Sequence, residues 1–122
     1  MRHVHGAVLA AGLALLGGSV LAQSLDAGIK AYQECVACHA VERGVNGVGP
    51  SLVGIVGSKA GEVDGFRSSG PMKRSGIVWT PENLDKFLAN PQSVIPGTRM
   101  PYSGMRSEKT RAELIRYLAS LV

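Results

Sequence analysis

Cys35-Val36-Ala37-Cys38-His39 places two thiols three positions apart, with a histidine directly after the second. This is the attachment pattern of a c-type haem. Each thiol adds to one vinyl group to form a thioether. A short helical turn lets the two sulfurs span neighbouring pyrrole edges while His39 points at the iron, where imidazole serves as the proximal ligand. Three other uses of the stretch fit less well. A dithiol oxidoreductase wants a βαβ pattern around its Cys-x-x-Cys, and no strand alternation flanks this one. Structural zinc needs four ligands, whereas beyond residue 22 the chain holds two cysteines and one histidine. A plain disulfide accounts for the thiols and leaves His39 idle.

The 122 residues leave room for one domain. Residues 1–22 have the layout of a secretory signal. Arg2 gives the positive start, an apolar run with glycine extends from Ala7 to Leu16, Gly17-Gly18-Ser19 loosens the chain, and Val20-Leu21-Ala22 precedes the cleavage position. Cleavage is expected before Gln23, leaving a domain over 23–122 in the periplasm, where haem attachment takes place. The alternative is an uncleaved anchor over roughly 6–22, short and rich in glycine for a membrane span. Without residues 1–22 there remain 12 basic side chains against 9 acidic. These are scattered singly apart from Lys73-Arg74, so no nucleic-acid patch is expected. The excess is either a solvated surface or a field that steers the protein to an acidic redox partner. A domain of this size has a limited core, and a tethered haem would supply the missing apolar bulk.

Leu25 to Val36 reads as a first helix, with Leu25, Ile29 and Tyr32 at helical spacing and Gly28 marking a close helix–helix approach. From Gly44 to Gly76 nine glycines fall among 33 residues. So long a loop makes sense in a compact domain when it wraps a prosthetic group. Within it, Pro50 keeps a free carbonyl and has no N–H. A ligating histidine needs its second ring nitrogen held by such an acceptor, which makes Pro50 O the candidate partner of His39; a simple turn proline is the other possibility. Thr80-Pro81-Glu82 opens the next helix with a cap, a proline and an acid in its first turn. Leu84, Phe87 and Leu88 form its buried stripe, and Asn90-Pro91 ends it. Ser107 caps a last helix that faces inward through Leu114, Ile115, Tyr117 and Leu118.

No second histidine follows residue 22, so the soft candidates for the other side of the iron are Met72, Met100 and Met105. Methionine is usually core filler. Met100 differs, because Pro96-Gly97-Thr98-Arg99-Met100-Pro101 is a stiff extended segment that aims the side chain by its backbone. Met105 suits packing at the start of the last helix, and Met72 lies in the glycine-rich loop.

The chain resembles class I cytochromes c of the small soluble bacterial type. The matching stretches are Gly28-x-x-x-Tyr32, the Cys35–His39 pentapeptide, Gly49-Pro50-Ser51-Leu52-Val53-Gly54, Gly76-Ile77-Val78-Trp79, Asn83-Leu84 through Asn90-Pro91, Ile95-Pro96-Gly97-Thr98-Arg99-Met100 and Leu114-Ile115-Arg116-Tyr117-Leu118. They cover nearly all of 23–122. The resemblance implies an all-α class I fold, with three main helices over roughly 25–37, 81–90 and 108–120 and glycine-rich loops around one covalent haem c and its iron. It implies His39 and Met100 as axial ligands, thioethers at Cys35 and Cys38, and Pro50 as acceptor from His39. Trp79 and Thr98 fall near a propionate, Tyr102 at the haem edge, and Gly28 and Tyr32 against Leu114 and Tyr117. Some positions depart from the pattern. Phe87 stands where many relatives have a tyrosine that donates to the Met sulfur, Ser58 and Ser68 replace an arginine and a tyrosine at the propionates, and Met72 replaces an asparagine. Gln92 and Ser93 replace docking lysines.

With both axial positions filled, the expectation is a one-electron carrier of the respiratory chain and not an enzyme. Its partners would be redox proteins: a membrane cytochrome complex, a terminal oxidase or a periplasmic dehydrogenase. No nucleic acid or small-molecule substrate is expected, and a monomer is. The alternative is a cytochrome subunit bound stably in a periplasmic dehydrogenase complex. A third possibility, peroxide or gas chemistry at an iron that Met100 leaves, is kept open by Phe87 and opposed by the position of the pentapeptide near the start of the domain.

Overall fold

The computed structural model describes residues 6–7, 10, 12 and 17–122, the side chains of 17–24 excepted. The expected signal segment over 1–22 therefore lies for the most part outside the described residues. Among the described residues five helices follow in order: α1 (Gly17–Tyr32), α2 (Gly70–Arg74), α3 (Pro81–Ala89), α4 (Pro91–Val94) and α5 (Glu108–Ala119). There is no sheet among the described residues, and one isolated antiparallel bridge joins Lys59 to Val78. No described helix is long and apolar enough to cross a membrane.

The all-α class is as expected, with differences in detail. α1 stops at Tyr32 and does not run on to residue 37. Beyond it the backbone bonds tighten to a three-residue spacing, with Gln33 N to Lys30 O at 3.2 Å, Glu34 N to Ala31 O at 3.3 Å and Cys35 N to Tyr32 O at 2.7 Å. This tighter winding carries the pentapeptide off the helix as a turn. Met72 lies in α2 and not in open loop; Ser69 caps that helix, its hydroxyl accepting from Met72 N at 3.3 Å. Asn90 ends α3 by donating its N–H to Lys86 O, then opens α4 with its side chain, which accepts from Ser93 N at 3.3 Å.

The caps read from sequence are in place. Thr80 Oγ1 accepts from Asn83 N at 3.1 Å, and Ser107 Oγ from Thr110 N at 3.1 Å. α3 buries Leu84, Phe87 and Leu88, and α5 buries Leu114, Ile115 and Leu118. Asp85 on α3 and Arg111 on α5 join at 2.7 Å, and the same guanidinium donates to Met105 O at 2.8 Å.

α1 packs on α5 through Gly28 and Tyr32, as expected, but Leu25 and Ile29 of the apolar spacing do not join them. Leu25 and Ile29 are 37% and 42% exposed, whereas Gly28, Ala31 and Tyr32 are buried. The helices approach too closely for branched side chains at the crossing. A Cβ on Gly28 would run into Glu113 O and Tyr117 Cβ, and the Tyr32 and Tyr117 rings meet at 5.9 Å. Close approach thus selects the small-residue side of α1 over its more apolar side.

Gly28→Ala tests this crossing. Alanine improves helix propensity by about 1 kcal/mol, yet the overpacking should dominate and lower stability by about 1–3 kcal/mol net. Guanidinium unfolding of the holoprotein checks it; an unchanged or raised midpoint would contradict the close approach.

Candidate functional site

The turn after α1 is closed by its own backbone: Cys38 N and His39 N both donate to Cys35 O, at 3.1 and 2.9 Å. Both cysteines are half-buried and unpaired, so they form no disulfide. Burial, with Glu34 and Cys38 adding to it, pushes the Cys35 thiol up to about 11. A dithiol oxidant needs the opposite, an attacking cysteine with a lowered pKa. The Cys35 thiol is thus held neutral on the turn, which argues against its acting as an attacking thiolate.

His39 is held from three sides. Tyr32, at the end of α1, donates its hydroxyl to His39 O at 2.5 Å. His39 Nδ1 lies 2.7 Å from Pro50 O. A carbonyl can only accept, so Nδ1 carries the proton and Nε2 keeps its lone pair for a metal. Gly49 packs flush against the ring: a Cβ there would stand 2.8 Å from both ring nitrogens. Gly49 N also donates to Cys38 O at 2.8 Å, pinning the Gly49-Pro50 segment to the turn. The loop carrying Pro50 is fastened by Asn46, whose Oδ1 accepts from Ser51 N at 2.8 Å and whose Nδ2 donates to Asp64 O at 3.0 Å.

Met100 lies on a second loop. It is half-buried against the core, on a loop braced at many points. Gln92, projecting from α4, grips the loop with both amide atoms: Nε2 donates to Thr98 O at 2.9 Å and Oε1 accepts from Gly97 N at 3.1 Å. Gly97 has φ +83, a conformation that suits glycine. Thr98 is buried and its Oγ1 accepts from Met100 N at 3.4 Å. Arg99 donates to Arg67 O at 2.7 Å. Past Met100, Tyr102 donates its hydroxyl to Glu34 Oε2 at 2.6 Å, and Met105 N donates to Leu88 O at 2.8 Å. Burial, and then the bond to Glu34, raise the Tyr102 phenol well above its ordinary pKa. Met105 itself is buried in the core.

No family model matches the chain. Among curated relatives, cytochrome c2 iso-2 of Magnetospirillum fulvum is 48% identical over 91 residues, covering 75% of this chain and 95% of that protein. The chain belongs to the class I c-type cytochromes. Cytochrome c2 iso-2 of Magnetospirillum molischianum is 47% identical over 87 residues, 71% of this chain and 90% of the relative. Cytochrome cH from Methylobacterium extorquens superposes with a TM-score of 0.75 at 43% identity, over 79% of this chain and 97% of that one. Membership implies a haem c with its iron and an electron-carrying role. The residues suit that group: two free thiols on one turn, and beside them an imidazole whose Nε2 lone pair is uncommitted.

Of the residues expected at the site, Cys35, Cys38, His39 and Pro50 come together on the turn and its facing loop. Thr98 and Met100 share the second loop. Trp79 is buried against Phe87, ring centres 4.9 Å apart. Sequence reasoning missed the holding residues Gln92, Asn46 and Arg111 and the bond between Tyr102 and Glu34. Gln92 was visible only as a lost lysine.

Gly49→Ala should force the His39 ring off Pro50 and lower stability by about 1–3 kcal/mol. Gly47→Ala is the control, because a Cβ there meets only Cys38 O at 3.6 Å, an ordinary contact. Equal unfolding midpoints for the two variants would contradict the packing described for His39.

Proposed function

We propose that the protein is a periplasmic one-electron carrier, its haem c held covalently by Cys35 and Cys38 and ligated by His39 and Met100. The observation that carries this is the His39–Pro50 bond at 2.7 Å, which leaves one imidazole nitrogen free and the ring fixed. When bound, the haem would supply a one-electron iron couple, and His39 and Met100 as its ligands would bias that couple toward Fe(II).

The chain's part is to hold and to exclude. Cys35 and Cys38 would set the haem's rotation on the turn, and His39 would meet one face of the iron. Met100 would fill the other, leaving no position for a substrate; hence a carrier and not an enzyme. Trp79 and Thr98, both buried, are assigned to the propionate side. Fixed backbone on both loops keeps rearrangement small when the electron moves. Removal of residues 1–22 on export would leave a domain starting at Gln23. Partners would be a membrane cytochrome complex, a terminal oxidase or a periplasmic dehydrogenase, met through brief encounters, since turnover requires release.

Protein matured in a host with haem-attachment machinery provides the test. The oxidised wild type should show the weak long-wavelength band of thioether sulfur on ferric haem, and Met100→Ala should lose it. Ready binding of carbon monoxide by the reduced wild type would contradict the closed carrier. Mass spectrometry of the same exported protein should give a chain beginning at Gln23 with one haem attached; an intact Met1 would contradict the cleavage.

A further inference from the structure

We propose that Tyr102 and Glu34 form a latch that ties the Met100 loop to the haem-attachment turn and so governs how readily Met100 gives way to an incoming ligand. The proposal rests on the assignment of Met100 as an axial ligand. Both are positioning residues, acting on the iron only through their neighbours in the chain.

The geometry is specific. Tyr102 Oη donates to Glu34 Oε2 at 2.6 Å across 68 residues of sequence. That separation lies in the range of short hydrogen bonds to a carboxylate. Glu34 is the residue before Cys35, and Tyr102 is two residues past Met100. The bond therefore joins the segment bearing one assigned ligand to the segment bearing the other. Tyr102 N also donates to Met100 O at 2.9 Å, so a pull on the phenol acts on a closed turn that contains Met100.

The other braces act elsewhere. Gln92 and Arg99 hold the loop before Met100, and the Met105 N–H holds it after Gly104. They fasten it to α4, to the Arg67 carbonyl and to the end of α3. The bond from Tyr102 is the one that reaches the attachment turn. A carrier cycles through ferric iron, which holds a soft thioether less firmly than ferrous iron does. Opening of the Met100 loop would then admit a small anion, and the bond from Tyr102 to Glu34 would oppose that opening.

Stopped-flow mixing of the ferric holoprotein with excess cyanide reads this opening. Tyr102→Phe keeps the ring and loses the donor, and Glu34→Ala loses the acceptor. Each should speed cyanide binding about three- to tenfold, the range of one partly exposed hydrogen bond to a charged group. The double variant should be no faster than either single one, because both remove the same bond. Glu34→Gln, which retains an acceptor oxygen, should fall between Glu34→Ala and the wild type. Wild-type rates in Tyr102→Phe, with the thioether band present, would overturn the latch alone. Additive acceleration in the double variant would overturn it as well, since the two residues would then act separately. A wild type lacking the thioether band would instead remove Met100 as ligand, and the latch with it.

Discussion

The bond between His39 Nδ1 and Pro50 O is the constraint on which the rest of the structure depends. It settles which ring nitrogen carries a proton, and thereby which one can face a metal. To make it, the chain must bring residue 50 back over residue 39, and Gly49 must let the ring lie flat on the backbone. Everything nearby serves that return. Gly49 N donates to Cys38 O, Leu52 N donates to Ala40 O, and Asn46 fastens the loop at Ser51 and Asp64. From below, α1 supplies Tyr32, whose ring packs on Tyr117 and whose hydroxyl holds the His39 carbonyl. The α1–α5 crossing thus supports the His39 backbone directly.

The opposite loop is built on another principle. The His39 turn and its facing loop are secured largely by bonds between residues close in sequence, and the Met100 loop largely by side chains that join it to other elements. Gln92, Arg99, Tyr102 and Arg111 each link it, or the chain just beyond it, to a different part of the molecule. Such a loop has many small restraints, each worth on the order of 1 kcal/mol. The loss of one shifts the ease of local opening and leaves the fold in place. Restraints on both the His39 turn and the Met100 loop suit a carrier that must keep its geometry through two oxidation states.

Much of this was legible in the residues, for physical reasons that can be named. The pentapeptide, the caps at Thr80 and Ser107 and the buried stripe of α3 are local signals, complete within a few residues. Pro50 was legible because a ligating imidazole needs an acceptor and a proline carbonyl is always free to be one. The crossing of α1 with α5 through Gly28 and Tyr32 was legible, whereas the end of α1 at Tyr32 and the outward turn of Leu25 and Ile29 were not. Apolar spacing favoured Leu25 and Ile29, but steric approach at Gly28 decides which side packs, and that depends on Glu113 and Tyr117 far along the chain. For the same reason the pairing of Tyr102 with Glu34 could not be read. Two exposed-looking residues 68 positions apart carry no mark of each other. Gln92 stood out only for what it replaced, since its bonds to Gly97 and Thr98 depend on α4 being a helix at all.

The central claim is that His39 and Met100 close the two faces of one iron. Proton NMR of the reduced holoprotein tests it most directly, because the haem ring current displaces a methyl group lying over the iron far upfield. The account predicts one such methionine methyl, retained in Met72→Leu and Met105→Leu and therefore belonging to Met100. A spectrum without a displaced methyl, or one whose displaced methyl disappears with Met72 or Met105, would contradict it.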